Sequence, residues 1–75
     1  IRVLKEGYVS MAPAQNLLVM KTVSGMAMAV AAAVDALKMD EVVGCIAGDN
    51  TIMMAMRSET AVTAVMDKIT KMIEL

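Results

Sequence analysis

The stretch Val42-Val43-Gly44-Cys45-Ile46-Ala47-Gly48-Asp49-Asn50-Thr51-Ile52-Met53-Met54-Ala55-Met56 decides the fold. Two apolar runs, Val42 to Ala47 and Thr51 to Met56, each have the length of a strand, and Gly48-Asp49-Asn50 between them is a turn sequence. Together they predict a β-hairpin. On its C-terminal side Ser58 opens a helix whose apolar positions Ala61, Val62, Val65, Met66, Ile69, Met72 and Ile73 fall on one stripe. Asp67 and Lys71 lie outside that stripe as an i,i+4 pair of favourable polarity.

On the N-terminal side, Met39-Asp40-Glu41 separates the hairpin from an alanine-rich helix. Ser24 is placed to cap it by accepting one of its unpaired first-turn amides, with the helix starting at Gly25 or Met26 and running to about Lys38. Met26, Val30, Val34 and Leu37 form its core stripe, yet Ala27, Ala29, Ala31, Ala32, Ala33 and Ala36 leave the other faces almost as apolar. Such a helix is expected to be covered on two sides, by its own sheet and by a neighbouring subunit. Further out, Gly7 to Met11 reads as a strand, Ala12-Pro13-Ala14-Gln15-Asn16 as a turn and Leu17 to Val23 as a second strand. The predicted order is ββαββα: an α+β two-layer sandwich with an antiparallel four-stranded sheet and two helices on one face, forming a single domain over 1–75.

Composition narrows the functional classes. The chain has 75 residues, 59% hydrophobic and 20% charged, which excludes a disordered segment. A domain of this size buries only about 60% of the surface its unfolded chain exposes, so so much apolar content predicts an oligomer. Seven Lys+Arg against eight Asp+Glu give a net charge of -1, and no phosphate-neutralising patch can be assembled for nucleic acid. The longest apolar run, Met26 to Val34, is far shorter than the roughly 20 residues that span a bilayer, so neither a membrane partner nor a membrane location is expected. A single cysteine, Cys45, closes no intramolecular disulfide and fits a reducing cytoplasm. Beginning at Ile1 rather than Met, the chain reads as a processed product or a piece of something longer.

Catalysis and metal binding are the weak readings. The chain has no histidine, Ser10, Ser24 and Ser58 have no base beside them, and Asp40-Glu41 reads as a solvated loop. No enzyme is expected, and no catalytic residue. Ten methionines, among them Met53, Met54 and Met56, invite a copper reading. With no Phe or Trp present they are better explained as core filler, so no metal is expected.

The run Gly44-Cys45-Ile46-Ala47-Gly48-Asp49-Asn50-Thr51-Ile52 resembles the G-T-I-A-G-D-D-T-I signature of bacterial arginine repressors. Ala14-Gln15-Asn16-Leu17-Leu18-Val19-Met20-Lys21-Thr22, and Ser24-Gly25 entering an Ala-rich helix that ends Asp35-Ala36-Leu37, are also similar to the C-terminal domain of that family. The resemblance covers about Leu4 to Leu75. It implies an oligomerisation and L-arginine-sensing domain, with the N-terminal winged-helix DNA-binding module absent. It also implies homotrimers, paired into hexamers, with arginine as effector in the interface between trimers and no cofactor besides.

Carried over by position, Gly48 and Asp49 match the start of the G-D-D motif, Thr51 follows it, and Asp35 matches the helix aspartate. Asn50 replaces the second aspartate, and Met28 stands where the family commonly has Gln. The ligand set implied is therefore Asp49, Asn50, Thr51, Asp35, Met28 and Gly48. Carboxylates suit a guanidinium because its five donors form a planar fork, whereas an amide accepts through one oxygen only. Losing a charge-assisted bond costs about 1.5 to 3 kcal/mol, so the two departures are expected to weaken arginine. The second reading, of a different class, is a self-assembling trimer or hexamer scaffold, natural or engineered, that has lost arginine binding.

Overall fold

The computed structural model describes residues 2–75; Ile1, and any expectation that falls on it, lies outside the described residues. The order is α1 (Arg2–Gly7), β1 (Tyr8–Ala14), β2 (Leu17–Thr22), α2 (Ala27–Ala36), β3 (Val42–Ala47), β4 (Thr51–Met56) and α3 (Glu59–Ile73). The strands form one antiparallel sheet in the order β1-β2-β4-β3, so the two hairpins meet through β2 and β4. The predicted α+β sandwich is present, with one helix more than expected: the order is αββαββα. In α1, only Leu4 and Gly7 are buried, which is too little for a periodic pattern to announce the helix.

Alternation along the central strands builds the core. Leu18 and Met20 on β2, with Ile52, Met54 and Met56 on β4, point under the helices and are sealed by Val30 and Val34 of α2, and by Val62, Val65 and Ile69 of α3. Leu4 of α1 joins the same cluster. Methionine does fill core volume here, since Met20 and Met54 are completely buried. Gly7 closes α1 onto α2: a Cβ there would stand 2.5 Å from Val30 Cγ2, closer than side chains tolerate.

Three local readings are corrected. Strand β1 continues through Pro13 to Ala14, so the turn shrinks to Gln15-Asn16, with Gln15 at φ 56°. Proline is tolerated because β1 is an edge strand, where a missing N–H leaves no inner ladder bond unmade. Ser24 does not cap α2: the N-cap is Met26 with no side-chain bond, and the helix spans Ala27–Ala36 rather than reaching Lys38. Strand β2 stops at Thr22, one residue short of the expected end. The C-terminal helix is as read, with Ser58 Oγ accepting from Ala61 N at 3.1 Å and Lys71 pairing with Asp67 at 3.1 Å.

Candidate ligand-binding loop

The loop between β3 and β4 is built by its own backbone and by α2. Gly48 N donates to Thr51 O at 2.9 Å, which closes the turn, and Thr22 N donates to Asn50 O at 2.8 Å, which ties it to the end of β2. Asp49 O accepts from both Gly25 N and Ala27 N, each at 3.1 Å. These are the amides that Ser24 was expected to serve, so a carbonyl from a loop distant in sequence replaces the local cap. Asp49 is thereby held at the N-terminal end of α2, where the helix dipole favours a carboxylate.

Asp49 and Asn50 form this turn without left-handed backbone. Left-handed backbone falls on Gln15, Lys38 and Gly25, and none of Gly48, Asp49 or Asn50 has a positive φ. Asp49 is exposed, and its carboxylate has no hydrogen bond or ion pair among the described residues. Thr51 Oγ1 lies 2.9 Å from Asn50 Oδ1 and 3.1 Å from Lys21 Nζ.

The expected ligand residues divide into two groups. Gly48, Asp49, Asn50 and Thr51 sit together, and Met28, in the first turn of α2 beside the amides that bind Asp49 O, stands with them. Met28 is 73% exposed, an unusual position for a long apolar side chain in the absence of a cover. Asp35 lies two turns further along α2, about 10 Å along the axis, on the same side of the helix as Met28. It accepts from Cys45 Sγ at 3.5 Å and borders a cleft of about 350 Å³ with Lys38, Asp40 and Arg57. One compact pocket within a single chain therefore does not hold both Asp49 and Asp35; they mark two ends of one exposed helix face.

Cys45 is half-buried rather than sealed in the core. Burial first, then the bond and charge of Asp35, push its thiol above the ordinary range, so it is a poor nucleophile. Lys21 was missed as a member of the loop. Its register with Thr51 across β2 and β4 brings it there, and that pairing is not set by any turn.

Beside the loop, the sheet face turned away from the helices is open. Leu17 and Ala55 pair across β2 and β4, Met53 pairs with Ile46 on β3, and Gly44 stands opposite Ala55. They line a shallow apolar hollow of about 420 Å³, in which Ile46 is 79% and Met53 47% exposed. A Cβ added at Gly44 would meet nothing within 4 Å. Among the described residues no helix is long and apolar enough to cross a membrane, and no group of three or more His, Cys, Asp or Glu could hold a metal ion.

Comparison with known proteins agrees with the fold. A family profile described as "Arginine repressor, C-terminal domain" matches residues 4–71. The chain is 59% identical over 73 residues, 97% of its length and 48% of the relative's, to the protein named "Arginine repressor" from Lachnoclostridium phytofermentans. It is 60% identical over 74 residues to the "Arginine repressor" of Lachnospira eligens and 46% identical over 74 residues to that of Ruminiclostridium cellulolyticum, covering 99% of the chain and 49% of the relative in each case. The chain spans about half the length of the curated relatives it matches.

Proposed function

Because the chain belongs to the arginine repressor C-terminal domain family, we infer that it assembles with copies of itself and responds to L-arginine at the Gly48–Thr51 loop. In this reading it supplies the sensing and oligomerising half of a regulator of arginine metabolism. Copies meet through the open sheet face and the alanine face of α2, as trimers that pair into hexamers. An effector lying between trimers stabilises the hexamer by its differential affinity for that state.

The observation that carries this reading is the exposed Asp49 carboxylate, unpaired among the described residues and held by its backbone to α2 at the rim of an apolar face. Association removes that face from water at roughly 25 cal/mol per Å² of apolar area, which is the driving term a chain this small lacks internally. Ligand present at about a hundred times its Kd adds about 2.7 kcal/mol to the state that binds it. Transmission to a DNA-binding module, in a longer protein, follows from that linkage, and a cytoplasmic location follows from that role.

A second reading is favoured by Met28 and Asn50. A scaffold that assembles without effector would gain from Met28, whose exposed thioether adds apolar area to an interface. Sedimentation velocity at low micromolar concentration, with and without L-arginine, separates the two. A shift from trimer toward hexamer with arginine supports the sensor. A hexamer indifferent to arginine supports the scaffold, and a monomer in both conditions refutes both.

A further inference from the structure

Ten methionines are spread along the chain, and their surroundings sort them by reactivity. Met20 and Met54 are completely buried and Met56 is 2% exposed, so their sulfur atoms are shielded from solutes. Met11, Met26, Met39, Met66 and Met72 pack against the same core. Met28 and Met53 are the two that stand exposed.

Met53 has the more consequential neighbours. On β4 it is paired with Val19 of β2 and Ile46 of β3, on the open face of the sheet. Gly44 and Ala55 leave a recess beside it while Ile46 and Met53 project, so one uncharged surface carries both knob and recess, which suits contact with a second copy. Leu17, Val43, Gly44, Ile46 and Ala55 around the hollow have no side-chain donor. The Cys45 thiol is directed to Asp35 at 3.5 Å, and Lys21, further along the face, is engaged by Thr51 at 3.1 Å. Such a surface can bury a thioether but supplies no partner for an oxygen placed on it.

We propose that Met53 is an oxidation site that controls self-association: a hydroperoxide converts its thioether to the sulfoxide, and the sulfoxide keeps copies apart. The sulfur lone pair attacks one oxygen of hydrogen peroxide. The S–O bond forms as the O–O bond breaks, sulfur gives up two electrons, and the other oxygen leaves as water. A dithiol-dependent reductase reverses the step, releasing the oxygen as water and ending as a disulfide. Assembly and oxidation oppose each other, because copies that have met shield Met53 and an oxidised Met53 resists burial. The proposal rests on self-assembly through the open sheet face and adds its chemical control; it does not depend on where the effector binds.

Sedimentation velocity of the 75-residue chain before and after mild hydrogen peroxide, with fragment-ion mass spectrometry to place the oxygen, tests this. One oxygen on Met53, with Met20, Met54 and Met56 unmodified and the far-ultraviolet spectrum unchanged, is expected to weaken association by about tenfold or more, the effect of one unpaired polar group in an interface. Met53→Leu keeps an apolar side chain of similar volume and cannot take the oxygen, so its association is expected to withstand the same treatment. Raising the chain concentration is expected to slow oxidation at Met53. Four results each overturn the proposal and leave self-assembly standing: Met53 no faster to oxidise than the buried methionines, association unchanged by its oxidation, an equal loss in Met53→Leu, or a Met53 rate indifferent to concentration while copies associate. An untreated chain that is monomeric at every concentration overturns both.

Discussion

The two faces of the sheet are made from the same kinds of residue and end in opposite situations. Along β2, Leu18 and Met20 are fully buried while Leu17 and Val19 are only half covered; along β4, Ile52 and Met54 are sealed while Met53 is 47% exposed. Neither face is polar, so hydrophobicity does not distinguish them. What does is the position of the three helices, all of which gather over one side. The lesson is that an apolar strand face in so small a domain is not by itself evidence of a core: one face makes the fold, and the other is available for assembly.

The largest effect should come from the covered face. Replacing Ile52 with Ala leaves a void under α2 and α3, and urea denaturation should show a loss of about 2 to 5 kcal/mol. The open face should behave in the reverse way. Ile46→Lys is expected to leave the far-ultraviolet spectrum and fold unchanged, since the side chain is 79% exposed, yet to move the sedimentation profile to smaller species by at least about tenfold in association constant. Unchanged assembly in that variant would place the self-interface elsewhere. Gly44→Ala sharpens the same contrast, because its Cβ finds open space within one chain and would collide only with a neighbour.

Smaller effects test the supports behind the covered face. Ser58→Ala removes the bond to Ala61 N and should cost about 1 kcal/mol in thermal or chemical denaturation. The Lys68–Glu41 pair, at 2.7 Å, fastens α3 to the start of β3. Bonding to Lys68 is the main reason the Glu41 carboxyl is held below its ordinary 4.5. A depressed value in the folded state means the contribution is complete above the unfolded value and disappears as pH falls through the folded one. Glu41→Gln should therefore lower the melting temperature slightly near neutrality and have no effect in strong acid. An equal loss at both ends of that range would argue against the ion pair.

Legibility followed sequence distance. The β3–β4 hairpin, α3 and its Ser58 cap were readable because a turn, a period and a cap are signals carried within a few residues. The loop containing Asp49 and Asn50 was readable as the link between β3 and β4, while the ligand roles of Asp49, Asn50, Asp35 and Met28 rest on likeness to a family signature. Three features were not readable. Helix α1 is six residues long and would be marginal alone, so it forms by docking Leu4 and Gly7, which leave no periodic trace. Ser24 had the right chemistry and position for a cap, but Asp49 O, supplied from beyond β3, took the amides instead. Lys21 reached Thr51 only because β2 and β4 are neighbours in the sheet, a pairing between two hairpins that no local turn specifies.

By itself, then, the sequence determined the two-layer class, the strands of both hairpins, the alternation that fills the core with Leu, Ile and Met, and the identity of the loop that carries Asp49. Tertiary structure alone decided which apolar face is covered, what caps α2, and that Lys21 reaches Thr51. The physical reason is the same in each case. Local patterns specify which elements form, whereas the partner of a carbonyl, an ammonium or an apolar face is chosen only when elements far apart in the chain are brought together.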